Sequence, residues 1–411
     1  MLFGATGFVG SLTAAHLAAT AGPGLRVALA GRSPARLRAV RDGLDAAAGG
    51  WQLVELDSSD AAGLGRLASR TRVLASTVGP YARLGRDVVR AAAEQGTDYA
   101  DLTGETLFVR WTLDQVAARA RQTGARVVHS CGFDSIPSDM GVLLTAEKAA
   151  LDGEGTLTAT TLAVTSLRGG LSGGTIDSAR QQAIALRADP ALRRVLADEY
   201  ALTPRRSDEP EPSPSKRRGP AGRLSRFLPV AKDRASGRWL GPFVMANYNE
   251  RLVRLSNALT GWSYGRELEY REVSDFGPGP GAAVRAVGMG LGLGLVSRGL
   301  SWAPTRALLD RLLPKPGEGP SAEQRAAGHF RMEITATTTT MARYRMTVGA
   351  DFDPGYDGTA VMLAQSALCL AVDGRSLPDR SGVLTPATAM GVALVDRLRA
   401  QGFTFDVERV G

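Results

Sequence analysis

Short apolar runs alternate with amphipathic stretches through the first third of the chain. The runs at Met1–Phe3, Leu25–Ala30, Trp51–Leu56, Val73–Thr77, Tyr99–Leu102 and Arg126–Ser130 predict strands. Helical patterns lie between them, as at Val9–Thr20 and Arg83–Gln95. Such alternation of strand and helix predicts a parallel sheet covered on both faces. The first strand is shorter than the ~5–6 residues usual for strands, so the natural start is expected upstream of Met1.

After Pro137 the pattern changes. Thr156–Leu167 is rich in β-branched residues. In His329–Thr338 the apolar positions Phe330, Met332 and Ile334 alternate with polar ones, and Ala342, Tyr344, Met346 and Val348 do the same in Met341–Ala350. A period of two predicts half-buried antiparallel strands. The fold class expected is α/β, with a doubly wound parallel sheet in residues 1–135 and an α+β domain with an antiparallel sheet in 136–380. Residues 381–411 are expected to return to the first domain, with Thr385 capping a helix whose first position is Pro386. A chain of 411 residues is too long for one ordinary core, which fits this division.

Three stretches break the pattern. Thr203–Arg223 holds many Pro, Ser and charged residues and almost no apolar ones, so it is expected to be a flexible insertion; Pro314–Pro320 is a second soft connection. Ala286–Trp302 is apolar and Gly-rich, with Gly288, Gly290, Gly292 and Gly294 alternating with Met289, Leu291 and Leu293, and Arg298 interrupting it. A spanning helix wants ~20 apolar residues, so the segment is not read as a membrane span. It is core of the second domain, or else a wall for an acyl chain or a face resting on lipid.

Composition narrows the chemistry. Two cysteines, Cys131 and Cys369, form no disulfide framework, which fits a reducing cytoplasm. The three histidines are scattered, and no Cys/His spacing suggests a metal site. The net charge is +8, with arginine far outnumbering lysine. A GC-rich coding sequence accounts for that excess; attraction of anionic partners such as NADP(H), acyl carriers or acidic headgroups is the functional reading. No nucleic-acid-binding signature is present, so nucleic acid is not expected as a partner.

The strongest motif is Gly4-Ala5-Thr6-Gly7-Phe8-Val9-Gly10, which follows a strand and opens a helix. G-x-x-G-x-x-G in that context is a dinucleotide fingerprint of a Rossmann domain. Gly4 permits the tight turn, Gly7 lets the backbone approach a pyrophosphate, and Gly10 lets the helix sit close to the sheet. Thr6, Phe8 and Val9 share the turn. The second strand ends in Arg32 and Ser33, where an NAD-preferring site carries Asp or Glu. A guanidinium pairs with a 2′-phosphate, so NADP(H) is the expected cofactor. Asp57, after the third strand, is placed near the adenine edge or in a simple turn.

The fourth strand runs into Val78, Gly79, Pro80 and Tyr81. The two small or rigid residues would bring backbone close to the cofactor; Tyr81 could donate a proton or pack. The sixth strand ends in Ser130–Asp139, where Asp134 and Ser135 are the candidates for the cleft and Ser138 and Asp139 could cap the next helix. Cys131 is not expected to be a nucleophile. Ser172, Gly173, Gly174 and Thr175 read as a loop that holds an anion or carbonyl oxygen, or as an ordinary capped helix start.

These stretches resemble the saccharopine dehydrogenase-like oxidoreductases, and within them the trans-acting enoyl reductase branch. The resemblance rests on Gly4–Gly10, Ala30–Arg32, Val78–Tyr81 with Gly85, Gly96–Glu105, Ser130–Gly141, Ser172–Thr175, Trp239–Ala246 and Gly382–Gly391. It implies NADPH-dependent reduction of a carbon–carbon double bond in an acyl chain presented by a polyketide synthase or acyl carrier, in complex (glyco)lipid synthesis. Tyr81, Asp134 and Ser135 are the candidate catalytic residues. A homodimer is expected, cytoplasmic or peripheral on the inner face of the plasma membrane. The alternatives are a reductase of an imine or amino-acid adduct, as the superfamily name suggests, and a non-catalytic NADP-binding protein of lipid surfaces. A substrate bearing carboxylates would call for basic residues in the second domain's wall, whereas an apolar wall favours a lipid.

Overall fold

The computed structural model describes residues 1–169, 173–210, 230–233, 236–301 and 319–411. Its first six strands are β1 (Leu2–Phe3), β2 (Ala28–Gly31), β3 (Gln52–Glu55), β4 (Val73–Ser76), β5 (Asp98–Asp101) and β6 (Arg126–Val128). They are followed by β7 (Leu157–Arg168), β8 (Ala231–Lys232), β9 (Arg238–Pro242), β10 (Glu269–Pro278), β11 (His329–Thr338) and β12 (Arg343–Ala350), then β13 (Gly382–Leu384) and β14 (Thr404–Arg409).

The first sheet runs β13-β6-β5-β4-β1-β2-β3, and all its pairs are parallel. Order reverses between β1 and β4, and a doubly wound sheet opens its ligand crevice at such a point. The strand interiors are apolar because helices cover both faces: Leu2, Leu29, Leu74, Ala100 and Val128 are buried.

The second sheet runs β14-β12-β11-β7-β10-β9-β8. The predicted alternation is realised on β11 and β12, where Phe330, Met332, Ile334, Tyr344, Met346 and Val348 all turn inward. The sheet is mixed rather than antiparallel throughout, because β10 lies parallel to β7, with Glu269 opposite Ala159. Parallel neighbours need a long crossover, and the chain from helix Gly173–Ala188 to helix Ala246–Leu259 supplies it.

The C-terminal segment is shared between the sheets. β13 extends the parallel sheet beside β6, whereas β14 pairs with β12. Thr385 caps helix Pro386–Arg399 in a capping box, with Pro386 in its first turn. The start of the segment expected to be flexible is held in place: Thr203 is buried, its carbonyl accepts from Arg110, and Glu209 pairs with Arg254. Residues 211–223 of that segment lie outside the described residues.

Helix Ile136–Leu151 joins the two halves. Every residue from Ile136 to Ala146 is buried, so the helix is core on all sides. It carries Asp139, whose carboxylate accepts from Ser256 and from the Ala387 N–H at the start of helix Pro386–Arg399. Burial pushes Asp139 up to about 6. Nearby, Glu272 on β10 accepts from Asn249 Nδ2 at 3.0 Å and from the Tyr270 hydroxyl at 2.7 Å. Burial outweighs these bonds and pushes Glu272 up to about 7.

A carboxyl raised by folding contributes stability below its unfolded value and loses it as pH rises through its folded one. Stability should therefore decline between about pH 4.5 and pH 7 as Glu272 ionises. Glu272→Gln should flatten that decline by up to about 3 kcal/mol, narrowing the gap in Tm between pH 5 and pH 8. Identical Tm profiles for the two proteins would show that Glu272 is not the titrating group.

Candidate active site

A cleft of about 1030 Å³ lies along the C-terminal ends of the parallel strands, with the second domain as its far wall. Its floor begins at the glycine turn. Gly4 sits at φ +89°, where a side chain is strained, and a Cβ there would meet Thr77 Oγ1 at 2.6 Å. A Cβ at Gly10 would collide with the Gly4 carbonyl, so helix Phe8–Thr20 can approach the sheet only without one. The N-cap Gly7 makes no side-chain cap, which leaves the first N–H groups of the helix directed at the cleft. This cradle of bare backbone fits a dinucleotide pyrophosphate.

At one end, beyond β2 and β3, the lining includes Arg32, Arg36, Asp57, Ser58 and Ser59. Arg32 is 81% exposed and lies 4.0 Å from Asp57. Asp57 accepts from the Ser59 hydroxyl and N–H, and these bonds, with a smaller contribution from Arg32, hold its carboxyl below the usual range. Ser33 instead faces its own helix, accepting from Arg36 N–H as the N-cap.

At the other end, beyond β4, β5 and β6, the cleft is walled by Val78–Tyr81, Leu102–Thr106 and Ser130. Asp101, fully buried at the end of β5, organises this region. Its Oδ1 accepts from Thr103 N–H at 3.0 Å and Ser130 N–H at 3.2 Å, while Oδ2 lies 2.8 Å from His129 Nδ1. The other ring nitrogen of His129 meets Thr112 Oγ1 at 2.9 Å. Glu105 accepts from the Tyr81 and Ala82 N–H groups, both at 2.8 Å, and from the Ser178 hydroxyl of the second domain. Burial raises the Glu105 carboxyl above its ordinary range. Gly79–Pro80 is a cis peptide.

The second domain supplies Gly173, Gly174, Asp177, Ser178 and Gln182 from one helix, Val244–Tyr248 from the start of another, and Gly355, Tyr356 and Thr359. Tyr356 touches both sides of the cleft. Its ring stands edge-on to Phe8 at 5.0 Å, and its hydroxyl accepts from Gly173 N–H.

Residues 1–128 match the saccharopine dehydrogenase NADP binding domain family. The whole chain is 45% identical over 415 residues to a trans-acting enoyl reductase of Mycobacterium ulcerans, covering 97% of that protein. It is 43% identical over 417 residues to a trans-acting enoyl reductase of Mycobacterium tuberculosis, again with 100% of this chain and 97% of the relative covered. The chain belongs to the trans-acting enoyl reductase family. It is an NADP-dependent oxidoreductase of the saccharopine dehydrogenase-like type. Among solved structures, apo saccharopine dehydrogenase (L-Glu forming) from Saccharomyces cerevisiae matches all of this chain and 99% of its own, with a TM-score of 0.53 at 14% identity, which speaks to the fold alone.

For this member of the family, most residues singled out in the sequence reach the cleft: Gly4, Thr6–Gly10, Arg32, Asp57, Val78–Tyr81, Asp134, Ser135, Gly173 and Gly174. Ser172 lies outside the described residues, as does the side chain of Thr175. The hydroxyls of the candidate catalytic residues are engaged within the protein. Tyr81 donates to Ser76 O at 3.0 Å and accepts from Leu102 N–H, and Ser135 donates to Asn249 Oδ1. Cys131 is buried, and burial drives its thiol far above the ordinary range, so a thiolate is disfavoured.

Sequence reasoning missed Arg36 and Tyr248, and it noted the strand-end stretches that hold Glu105 and Ser130 without giving either residue a role. Arg36 was accessible from its spacing, one helical turn beyond Arg32. Tyr248 carried no signal, since its helix meets the strand ends only in three dimensions.

Arg32→Asp should weaken NADPH binding by ~1.5–3 kcal/mol while leaving NADH binding nearly unchanged. Arg36→Ala should act in the same direction. Fluorescence titrations that show equal losses for both cofactors would remove the arginines from the 2′-phosphate.

Proposed function

We propose that this protein reduces the α,β double bond of an acyl thioester, using NADPH, with the acyl chain presented by a separate carrier or synthase. The observation that carries this reading is the division of charge across the cleft. Among the described residues, its lining cations, Arg32, Arg36 and Arg83, all belong to the NADP-binding domain. Among the described residues the second domain's wall contributes Leu196, Val244, Met245, Asn247, Tyr248 and Gln182, with Asp177 its one charged member. Asp177 is paired with Arg180. A substrate bearing carboxylates, as an amino-acid adduct does, would leave its charge unpaired against that wall. An acyl chain gains about 0.8 kcal/mol for each buried methylene there. The names of the relatives point the same way.

NADPH, when bound, would supply the hydride. The chain's part is to hold and orient. Backbone N–H groups at the start of helix Phe8–Thr20 suit the pyrophosphate, and Arg32 with Arg36 suits the 2′-phosphate. Asp101 and Glu105 fix the turns at the far end of the cleft. The decisive measurement is NADPH consumption by the purified protein against a panel of enoyl thioesters, free and carrier-bound, beside imine substrates. Turnover of enoyl thioesters is expected. Turnover confined to imines would transfer the protein to amino-acid chemistry, and cofactor binding with no turnover at all would mark a sensor.

A lipid-facing surface belongs to the same proposal. Helix Pro280–Ser301 packs on β9, β10 and helix Gly173–Ala188, with the small residues Ala282, Ala286 and Gly290 turned inward. Its larger side chains point out: Val284 is 72% and Leu295 73% exposed, with Val287, Met289 and Leu291 beside them. Among the described residues no helix is long and apolar enough to cross a membrane, and no described residue of this helix lines the cleft. The helix is therefore a surface feature, suited to rest on lipid. Leu291→Asp with Leu295→Asp should abolish co-sedimentation with phosphatidylglycerol vesicles while Tm is kept. Undiminished sedimentation would sink the lipid contact, and loss of a dimer instead would assign the face to a second copy of the chain.

A further inference from the structure

The reduction proposed above needs a proton at the α-carbon, and the cleft offers few groups able to give one. At the β4–β6 end the hydroxyl of Tyr81 is held between Ser76 O and Leu102 N–H. Ser135 donates to Asn249, Ser178 to Glu105, and Thr359 to Pro354 O. Glu105 is surrounded by three donors. Tyr248 differs. It projects from helix Ala246–Leu259 into the cleft, and its hydroxyl meets another hydroxyl, Ser130 Oγ, at 2.5 Å. Ser130 Oγ also donates to Thr103 O at 2.8 Å, so at rest the Tyr248 O–H points to Ser130.

Three features mark this pair as built. Ser130 adopts φ +67°, a left-handed conformation that a serine does not favour, and the Asp101 carboxylate holds it there through its N–H. The pair lies past β5 and β6, away from Arg32 and Arg36 past β2, and hence at the end of the crevice opposite the 2′-phosphate site. Burial, with smaller contributions from Asp101 and Glu105, pushes the Tyr248 phenol far above its ordinary range, so it carries its proton at neutral pH.

We propose that Tyr248 is the proton donor of the reaction and that Ser130 is its positioning residue. This rests on the enoyl-reduction reading. When the β-carbon accepts a hydride, the π pair moves onto the α-carbon and thioester oxygen. The Tyr248 O–H bond then breaks as the α-C–H bond forms, leaving a phenolate. Ser130 turns its hydroxyl from Thr103 O to that phenolate, and solvent restores the proton. The double bond is reduced, NADPH is oxidised, and one solvent proton is consumed.

Tyr248→Phe should lower kcat by about 100- to 1,000-fold, with NADPH affinity and KM changed by less than about threefold. Ser130→Ala should lower kcat less and shift its pH profile. In D2O the wild type should place deuterium on one face of the α-carbon, and residual Tyr248→Phe product should lose that preference. Independently of turnover, the 13Cζ resonance of Tyr248, identified by its absence in Tyr248→Phe, should move when a saturated acyl-pantetheine is added with NADP+. Full activity or retained one-faced labelling in Tyr248→Phe overturns the assignment, as does an unmoved resonance in a complex that demonstrably forms. A wild type that binds NADPH but reduces no enoyl thioester overturns the underlying reading and this assignment together, and the cofactor titration separates that outcome from the others.

Discussion

The cleft depends on a single buried carboxylate. Asp101 closes β5 and accepts from Thr103 N–H, Ser130 N–H and His129 Nδ1. Without it, two backbone donors would be buried unmatched, at a cost of about 1–3 kcal/mol each. The turn at Thr103 brings Glu105 under the Tyr81 and Ala82 N–H groups, and the turn at Ser130 brings its hydroxyl to Tyr248. One side chain thus sets the path of two loops, and those loops set the far wall. Bonds of this kind are strong because Asp101 is fully buried, where the low local dielectric strengthens each of them.

The second constraint is the close approach of backbone to backbone. Gly10 against the Gly4 carbonyl, and Gly4 against Thr77, leave no room for a Cβ. Helix Phe8–Thr20 therefore begins at the cleft with its N–H groups unmasked. The second domain contributes shape rather than charge: Tyr356 against Phe8, Ser178 against Glu105, and an uncharged wall from the start of helix Ala246–Leu259. Cations on the cofactor side, and opposite them a wall whose lining carboxylate, Asp177, is paired with Arg180, form a division suited to a charged cofactor and an uncharged acyl group.

The pattern of the chain by itself determined the parallel sheet, the glycine cradle and Arg32. Each is a local matter: strand and helix periods, a tight turn and a charge at a strand end are read within a dozen residues. It also determined the inward faces of β11 and β12, because alternation fixes which side chains share a face. The mixed second sheet was not legible, since the parallel pairing of β7 with β10 joins residues separated by a long crossover. For helix Pro280–Ser301 the sequence left core and an outward face both open. A glycine- and leucine-rich run fits either, and only packing reveals that Ala282 and Ala286 face in while Leu291 and Leu295 face out.

The division is sharpest at the end of the cleft that holds Tyr248 and Ser130. Tyr81 stood out in the sequence because it follows a strand end, yet the fold turns its hydroxyl to Ser76 O. Tyr248 stood in an ordinary helix more than a hundred residues from Ser130, and only the docking of the two domains brings the hydroxyls together. A sequence pattern records which residues lie along one element. Which hydroxyl is left facing a cleft is decided by every other donor and acceptor that could have taken it, and those partners come from distant parts of the chain.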